Sequence, residues 1–548
     1  MNMPRVQTST AGRISEFFRG ASIEVAEFAL QQIQDILRDR RARSKAAKDR
    51  AAGSKKPAAV TASAAAATRV VKPAVKKKSH KKKKPQPPAV AASTTADVPL
   101  PLQDTYAGEV TQVTPLQHLR HRKASGDMDD PIPFIIYGDG PRLPSGLARI
   151  ARDLTARLVG LQEELGIRVA QVGVDWPGGW HWQGWDFCGF QPSDRDQGRE
   201  AIASVVDELT RETGKRPIVW MFMDPSRCYD LTRQTVYDVD DPLEGRIPVD
   251  FWGYFPIDAH NQQGGFGGPA QKAVSDCQRV MGYGRYGALV LKHVLGEAHL
   301  GAVSYLPHGI ETRVFRPGIR LDQAEPDFHE WARTVPPETI KIGCVATNQA
   351  RKDLGLLFSS VAQIKALGHP VALWLHTDKL THIWDVGELV MTCGLRREEV
   401  AASTEEITDT QLAARYCWSD VTIAPGLGEG FGYPIVESLA CGTPVIHGKY
   451  AGGVELIPEP SWLVEPSAWR LESLYAVQRP VFHPKAFAEA VVAVTEQERA
   501  IGTDAHRAYC AGAVSYLDWE CLWPRWRSWI TKGLQEARDG RRRASESL

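Results

Sequence analysis

The sequence predicts an α/β protein built from two Rossmann-like halves. Twice it runs through a short apolar strand, a glycine-containing loop and a helix with an apolar stripe, over residues 134–158 and again over residues 340–368. That order is the opening unit of a doubly wound α/β sheet. With 548 residues, the chain is too long for one core and fits two domains with additional segments.

Charge is distributed unevenly along the chain. Residues 1–92 hold 21 Lys and Arg against 6 Asp and Glu, a net charge of +15. Because the whole chain carries only +1, the remaining residues carry −14. The nine cysteines show no metal-binding or disulfide spacing, and no apolar run approaches the roughly 18 residues of a membrane span. We therefore expect a cytoplasmic protein with a basic extension and an acidic body.

The N-terminal extension, residues 1–130, is predicted to contain one helix and a long disordered segment. Residues 12–40 place apolar side chains on one helical stripe, which docks on the body or on another copy, or lies on a membrane surface. Residues 40–98 are rich in Ala, Lys and Pro, and this composition cannot offset the entropy of ordering. This Ala-, Lys- and Pro-rich composition resembles that of the tails of linker histones. The segment at residues 40–88 either binds nucleic acid through its charge or is a solvated linker.

The first domain, residues 131–335, opens with a buried strand over residues 134–139 and a helix that starts near Pro144. Further strands are predicted in three places: residues 168–175, 217–224 and 248–260. Residues 279–296 read as a turn and a helix, and the acidic run at residues 238–241 reads as a loop. The second strand is followed by five aromatic residues: Trp176, Trp180, Trp182, Trp185 and Phe187. These rings either stack on sugars or bases, or pack as a lid over the sheet edge.

The second domain, residues 336–510, contains a glycine-rich passage from Ala424 to Gly442 that predicts a strand, a tight loop and a short helix. Its alternating glycines let the backbone approach a ligand closely, and Pro434 suits the first turn of the helix. Free N–H groups at a helix N-terminus bind anions. Glu429 and Glu437 flank this loop, where they can reach past a phosphate to neutral hydroxyls. The passage therefore predicts a site for a nucleotide-sugar.

The run EGFGYPIVE, followed by SLACGTPVI and GGVELI, resembles the E-x7-E signature of retaining GT-B glycosyltransferases of family four. The resemblance covers about residues 131–535. It implies a GT-B fold with two Rossmann-like domains facing a central cleft, a nucleoside-diphosphate sugar as donor, retention at the anomeric carbon and no need for a metal. It also implies that a terminal helix within residues 511–548 crosses back to the first domain, with a kink or break at Pro524.

Residue roles follow from the same resemblance. Glu437 would accept hydrogen bonds from ribose hydroxyls, and Glu429 would hold and orient the sugar. The resemblance places the diphosphate against the following residues: Gly146, Arg351, Lys352, Gly430, Phe431 and Gly432. Lys352 would also act in catalysis by stabilising the charge that develops on the leaving diphosphate.

The sequence departs from the family pattern in two places. Thr347 occupies the position where family members often carry an arginine, and Arg351 beside Lys352 is the expected source of the missing charge. Met223 stands where a histidine often follows a strand of the first domain. Asp258, and after it His260, are the expected catalytic substitutes, although a lone polar residue after a strand is often only a cap.

Other classes of protein fit parts of the pattern. The departures at Thr347 and Met223 favour a catalytically weak GT-B protein that binds a sugar nucleotide or nucleic acid. Another GT-B enzyme, such as a nucleotide-sugar epimerase, shares the same loop. An ordinary α/β protein with two surface glutamates is the simplest alternative. A sugar-transferring enzyme agrees with the largest number of residues. Its acceptor is unidentified, and nucleic acid recruited by the basic segment is one candidate.

Overall fold

The computed structural model describes the following residues: 111–112, 131–175, 177–191, 198–235, 249–296, 303–472 and 476–546. They all belong to one compact unit, Val98–Leu548. The helix predicted at residues 12–40, the basic segment at residues 40–98 and the acidic run at residues 238–241 lie outside the described residues.

The first domain contains a nine-stranded sheet within the described residues. Its strands are Thr111–Gln112 (β1), Ile132–Asp139 (β2), Ile167–Val174 (β3), Gly178–Trp182 (β4), Trp185–Phe190 (β5), Ile218–Met221 (β6), Asp250–Phe255 (β7), Arg279–Gly282 (β8) and Val303–Tyr305 (β9). Their spatial order is β1-β4-β5-β3-β2-β6-β7-β8-β9. Strand β4 is antiparallel to β1 and β5, and the other neighbours are parallel. Because parallel strands are covered on both faces, β2 is apolar and buried until Asp139.

Six helices accompany this sheet in the described residues: Gly146–Val159 (α1), Gln162–Leu165 (α2), Arg199–Thr213 (α3), Pro225–Thr235 (α4), Gly268–Ser275 (α5) and Arg285–Leu295 (α6). Helix α1 begins after Ser145, whose hydroxyl accepts a hydrogen bond from the Ala148 N–H at 3.0 Å. Its buried face carries Ile150, Leu154 and Leu158, as predicted, but also Arg149.

The second domain is built on a parallel six-stranded sheet. Its strands are Ile340–Val345 (β10), Val371–His376 (β11), Val400–Ser403 (β12), Val421–Ala424 (β13), Val445–Gly448 (β14) and Leu463–Val464 (β15). Their order is β12-β11-β10-β13-β14-β15. The associated helices are Pro326–Thr334 (α7), Leu354–Ala366 (α8), Val386–Thr392 (α9), Asp409–Trp418 (α10), Tyr433–Ala440 (α11) and Pro484–Ile501 (α12). A separate antiparallel hairpin joins Ala468–Leu471 (β16) to Gln478–Val481 (β17).

The C-terminal helices return the chain to the first domain. They are Thr503–Val514 (α13) and Trp519–Glu546 (α14). Helix α14 packs Trp526 and Trp529 against Trp220, with ring centroids 6.0 and 5.6 Å apart. Of the kink or break expected at Pro524, the break is wrong, because the helix runs through this residue. Pro524 lies in the second turn of the helix, where its ring disturbs few backbone bonds.

Two further differences from the sequence-based expectation are local. Residues 279–282 form strand β8, which is too short for its pattern to be separated from a turn. Helix α1 starts at Gly146 and not at Pro144, because the Ser145 cap fixes its first turn. None of the helices in the described part of the chain is both long and apolar enough to cross a membrane.

Candidate functional site in the cleft

The glycine-rich loop between β13 and α11 lies where the two domains meet. Gly428 has a φ of +148°, and a Cβ at this position would overlap the carbonyl oxygen of Asp258 in the first domain. A Cβ on Gly430 would lie 3.1 Å from the backbone of Pro256. The loop can therefore approach the first domain this closely only because these positions lack side chains.

Glu429 is held by two cations of its own domain. Lys352 Nζ pairs with Glu429 Oε1, and Arg351 Nη1 lies 3.7 Å from Oε2. Only 12% of the Glu429 side chain and 13% of the Lys352 side chain are exposed. Burial alone would raise the pKa of Glu429, but Lys352 and Arg351 outweigh it and lower that pKa to about 2. Glu429 is therefore a buried anion inside the cleft.

Asp258, a residue of the first domain, lies near Arg351, which also lies near Glu429. Arg351 Nε lies 3.7 Å from Asp258 Oδ2, and Arg479 Nη2 lies 3.2 Å from Oδ1. Arg479 also donates to the Asp258 carbonyl at 3.0 Å and pairs with Glu472 at 2.6 Å. Burial raises the pKa of Asp258, against the effect of both arginines. Arg351 thus lies between Asp258 and Glu429 of the loop, and its expected role at the diphosphate stays a prediction.

Glu437, the fifth of the eight residues of helix α11, is paired with a residue of the other domain. Arg149 Nη1 donates to Glu437 Oε1 at 2.6 Å, and Arg149 Nη2 lies 2.9 Å from Asp409 Oδ2. The Tyr416 hydroxyl donates to Glu437 Oε2 at 3.1 Å. Burial raises the pKa of Glu437 to about 7, although Arg149 opposes this effect. Each carboxylate oxygen keeps one further acceptor position.

The N-termini of helices α1 and α11 meet beside this pair. A Cβ on Gly146 would lie 3.4 Å from the ring of Tyr433, the first residue of α11. Gly432 provides the N-cap of α11 with a φ of +108°. Helix α11 has no side-chain cap. Pro434 has no N–H and the Ile435 N–H donates to the Gly432 carbonyl, so the N–H that this helix start can offer to an anion is that of Tyr433. The expected contacts of Gly146 and Gly432 with a diphosphate stay predictions.

A cavity of about 420 Å³ borders the loop on the side of β8 and β9. Its lining includes Gly430, Phe431, Tyr283, Arg285 and Glu455. Phe431 is buried, and its ring packs edge-on against His308 with a centroid distance of 4.4 Å. The loop therefore presents backbone to a cavity between the domains, while its one aromatic side chain anchors it.

The structure bears on two points that the sequence leaves open in the first domain. Trp182, Trp185 and Phe187 are core residues, each 3% exposed or less, so they cannot stack on a ligand. Their period-2 burial in the β4–β5 hairpin favours the packed-lid interpretation; Trp176 and the Trp180 side chain lie outside the described residues. His260 does not reach Glu429: its Nδ1 pairs with the Tyr286 hydroxyl at 2.8 Å.

Four further residues surround this site and were not among those predicted: Arg149, Asp409, Tyr416 and Arg479. Arg149 and Arg479 make contacts from one domain to the other. The one signal that could have identified Arg149 is its charge on the apolar face of a predicted helix. Arg479 gave no signal, because its hairpin matches no expected element. Among the described residues, no group of three or more His, Cys, Asp and Glu side chains is placed to hold a metal ion.

Comparison with known proteins agrees with this architecture. The fold resembles sucrose-phosphate synthase from Thermosynechococcus elongatus, with a TM-score of 0.56 and 16% identity over 74% of this chain and 100% of that one. The catalytic domain of starch synthase IV from Arabidopsis thaliana gives a TM-score of 0.54 and 12% identity over 74% of this chain and 100% of that one. A structure described as trehalose-6-phosphate from E. coli bound with UDP-2-fluoro glucose gives a TM-score of 0.51 and 12% identity over 73% of this chain and 99% of that one. The chain therefore has a GT-B fold.

Sequence similarity is concentrated in the second domain. Residues 339–496 match the family model described as glycosyl transferases group 1. A curated relative, the uncharacterized glycosyltransferase 335 of Sulfolobus islandicus rod-shaped virus 1, is 29% identical over 117 residues. That match covers 20% of this chain and 32% of the relative, so the chain spans about a third of the relative's length.

Proposed function

We propose that this protein is a retaining glycosyltransferase that moves a sugar, a hexose by preference, from a nucleoside-diphosphate sugar to a hydroxyl acceptor. The observation that carries the proposal is the placement of Glu429 and Glu437 on either side of one glycine-rich loop, both in the cleft between two Rossmann-like domains. Lys352 pairs with Glu429, and helix α11, which has no side-chain cap, begins between the two glutamates in the sequence. Two buried acceptors around an anion site fit a diphosphate that carries a ribose and a sugar.

The diphosphate would bind to the positive groups of the second domain. Lys352 and Arg351 are within 4 Å of Glu429. The N–H groups of Gly430, Phe431 and Gly432, which follow Glu429 directly in the chain, would add to this site. A diphosphate would compete with Glu429 for Lys352, and it would free one oxygen of Glu429 to accept a sugar hydroxyl. The charge that grows on the leaving diphosphate would then be stabilised by groups already in position.

The proposed transfer needs no protein nucleophile. The bond between the anomeric carbon and the diphosphate oxygen breaks, and the bond to the acceptor oxygen forms on the same face. The acceptor proton passes to the leaving diphosphate. Asp258 would help to orient the reacting groups, because Arg351 joins it to Glu429 across the cleft. Glu437 would hold the ribose with the acceptor positions that Arg149 and Tyr416 leave open.

The proposal also covers the metal requirement of the enzyme and its place in the cell. Since Lys352 and Arg351 already supply two positive charges, we propose that transfer needs no metal ion and continues in the presence of a chelator. We also place the enzyme in the cytoplasm, and the nine free cysteines, of which Cys228, Cys344, Cys441 and Cys510 are buried, support a reducing surrounding.

Transfer assays with matched variants test the proposal. The full chain is mixed with UDP-, GDP- and ADP-sugars, and release of nucleoside diphosphate is measured. Lys352→Met removes one charge-assisted bond and should lower kcat/KM by about 10- to 100-fold. Lys272→Met is the control, because Lys272 is exposed on helix α5. Equal activity of the two variants, or no release from any donor, would contradict the proposal.

A further inference from the structure

Four neighbouring strands of the first sheet end in an aspartate at the edge that faces the cleft. Asp139 closes β2, Asp175 follows β3, Asp224 follows β6 and Asp258 follows β7. The order β3-β2-β6-β7 in the sheet makes these strands adjacent. Because the carboxyl ends of parallel strands meet at one edge, the four side chains form a row.

The outer two carboxylates of this row are paired with cations, and the inner two are not. Asp175 pairs with Arg142, and Asp258 pairs with Arg479. In the described ranges, no Lys, Arg or His nitrogen lies within 4.0 Å of the carboxylate oxygens of Asp139 or Asp224; their partners are hydroxyl and amide groups. No cation of the described residues therefore lies directly against the two inner carboxylates. Burial raises the pKa of Asp139, and the exposed Arg227 acts against this effect only from a greater distance.

The hydroxyl of Tyr283 is buried and has no hydrogen-bond partner in the described part of the chain. Tyr283 follows β8, the next strand in the sheet, and is 3% exposed. It interacts electrostatically with both Asp139 and Asp224. Its ring is fixed between Tyr254 and His308, at centroid distances of 4.3 and 4.2 Å. A buried hydroxyl that lacks a partner is costly, so this group points to a ligand that supplies one.

We propose that Asp139, Asp224 and Tyr283 form the acceptor subsite, and that the acceptor is a hydroxyl compound that is uncharged or carries an ammonium group, such as a sugar or an amino sugar. This inference rests on the proposed glycosyltransfer. Two carboxylates accept hydrogen bonds from hydroxyl and ammonium groups, and the tyrosine hydroxyl can donate to or accept from the same molecule. A phosphate group bound directly against these two carboxylates would find no Lys, Arg or His nitrogen of the described residues within 4.0 Å of them, whereas Arg285 lines the cavity that Tyr283 borders.

The subsite lies next to the donor groups. Asp258 interacts electrostatically with Asp224 on one side and with Glu429 on the other. An acceptor held by Asp224 would thus lie beside the sugar that Glu429 holds. The same charge disfavours nucleic acid as the acceptor, whatever the basic segment at residues 40–88 binds.

An acceptor competition tests the inference on the full chain. The donor is the nucleotide sugar, among UDP-glucose, ADP-glucose and GDP-mannose, from which the protein releases nucleoside diphosphate fastest. Glucose, glucosamine, glucose 6-phosphate and a DNA dodecamer are supplied at equal concentration, and the products are separated by mass. We expect at least tenfold more product on glucose or glucosamine than on the two phosphate-bearing acceptors.

Variants separate the acceptor subsite from the donor site. Asp224→Asn keeps the size of the side chain and should raise the acceptor KM about tenfold with an unchanged donor KM; Asp139→Asn should act in the same direction. Asp207→Asn, on the exposed face of α3, is the matched control. If the donor is cleaved but product forms only on the phosphate-bearing acceptors, or on none of the four, this inference is overturned and the proposed glycosyltransferase function is not. If no donor is cleaved, the proposed function fails and this inference fails with it.

Discussion

The guanidinium of Arg149 donates to the carboxylate of Glu437 at 2.6 Å, although the two residues are 288 positions apart and belong to different domains. Their side chains are only 11% and 5% exposed. A carboxylate buried to this extent is unfavourable without a partner, so the pair favours one approach of the two domains. The same carboxylate is the group that we assign to the ribose. Domain approach and donor binding are thus linked through Glu437.

Removing Arg149 should destabilise the protein because it leaves Glu437 buried without its partner. For Arg149→Met we expect a loss of about 3–5 kcal/mol in the free energy of unfolding, measured by denaturant titration. Adding Glu437→Gln should recover part of that loss, because the unpaired charge is then gone. Arg211→Met on the exposed surface is the control and should change stability by less than about 0.5 kcal/mol. Strictly additive effects in the double variant would argue against the pair.

Gly428 should not tolerate a side chain, because its Cβ would meet the carbonyl of Asp258. We expect Gly428→Ala to lower the free energy of unfolding by at least about 2 kcal/mol and to weaken donor binding. Gly368→Ala is the matched control: its φ of +95° is also positive, but nothing lies within 4 Å of the added Cβ. If both variants lose the same stability, backbone strain explains the effect and domain contact does not.

Stability at acid pH should depend on Glu429. Burial raises the pKa of this group, but Lys352 and Arg351 hold it at about 2, below its ordinary value of 4.5. A depressed pKa means that the stabilisation is present above pH 4.5 and is lost as the pH falls towards 2. Between pH 5 and pH 3, the wild type should therefore lose more stability than Glu429→Gln, by an amount on the order of 1–2 kcal/mol. Parallel stability curves for the two proteins would show that Glu429 is not held as an anion.

Arg479 should attach the β16–β17 hairpin to the first domain. It bonds to Asp258 through both the side chain and the carbonyl, and the neighbouring Gln478 N–H donates to the His260 carbonyl at 2.8 Å. We expect Arg479→Ala to accelerate hydrogen exchange at the Gln478 amide by at least tenfold. Arg470→Ala changes the cross-strand neighbour on the exposed strand β16 and should leave that amide protected. Equal exchange in both variants would contradict the assigned contact.

Local sequence pattern was sufficient for the elements that carry the loop. The glycines after β13, Pro434 and the carboxylates at Glu429 and Glu437 have local meaning, because turn geometry and helix starts depend on a few neighbouring residues. The alternating strands and helices of both domains are readable for the same reason. Short strands such as β8 are not, because four residues do not establish a period.

The contacts that close the cleft could not be predicted in this way. Arg149 meets Glu437, and Arg479 meets Asp258, over separations of 288 and 221 residues. Which charges pair at such distances depends on the relative position of two domains, and no local pattern contains it. The aromatic hairpin shows a different limit: a dense run of tryptophans fits a ligand surface and a packed lid equally well, and the burial of Trp182 and Trp185 in the core decides for the lid.

The most direct test of the central claim is calorimetric titration of nucleoside-diphosphate sugars into the full chain. We expect at least one nucleoside-diphosphate sugar to bind. Lys352→Met and Glu437→Gln should each weaken this binding by about tenfold or more, whereas Lys272→Met should not. Equal affinity in the wild type and all three variants, or no binding of any donor to the wild type, would contradict the assignment of this cleft as a nucleotide-sugar site.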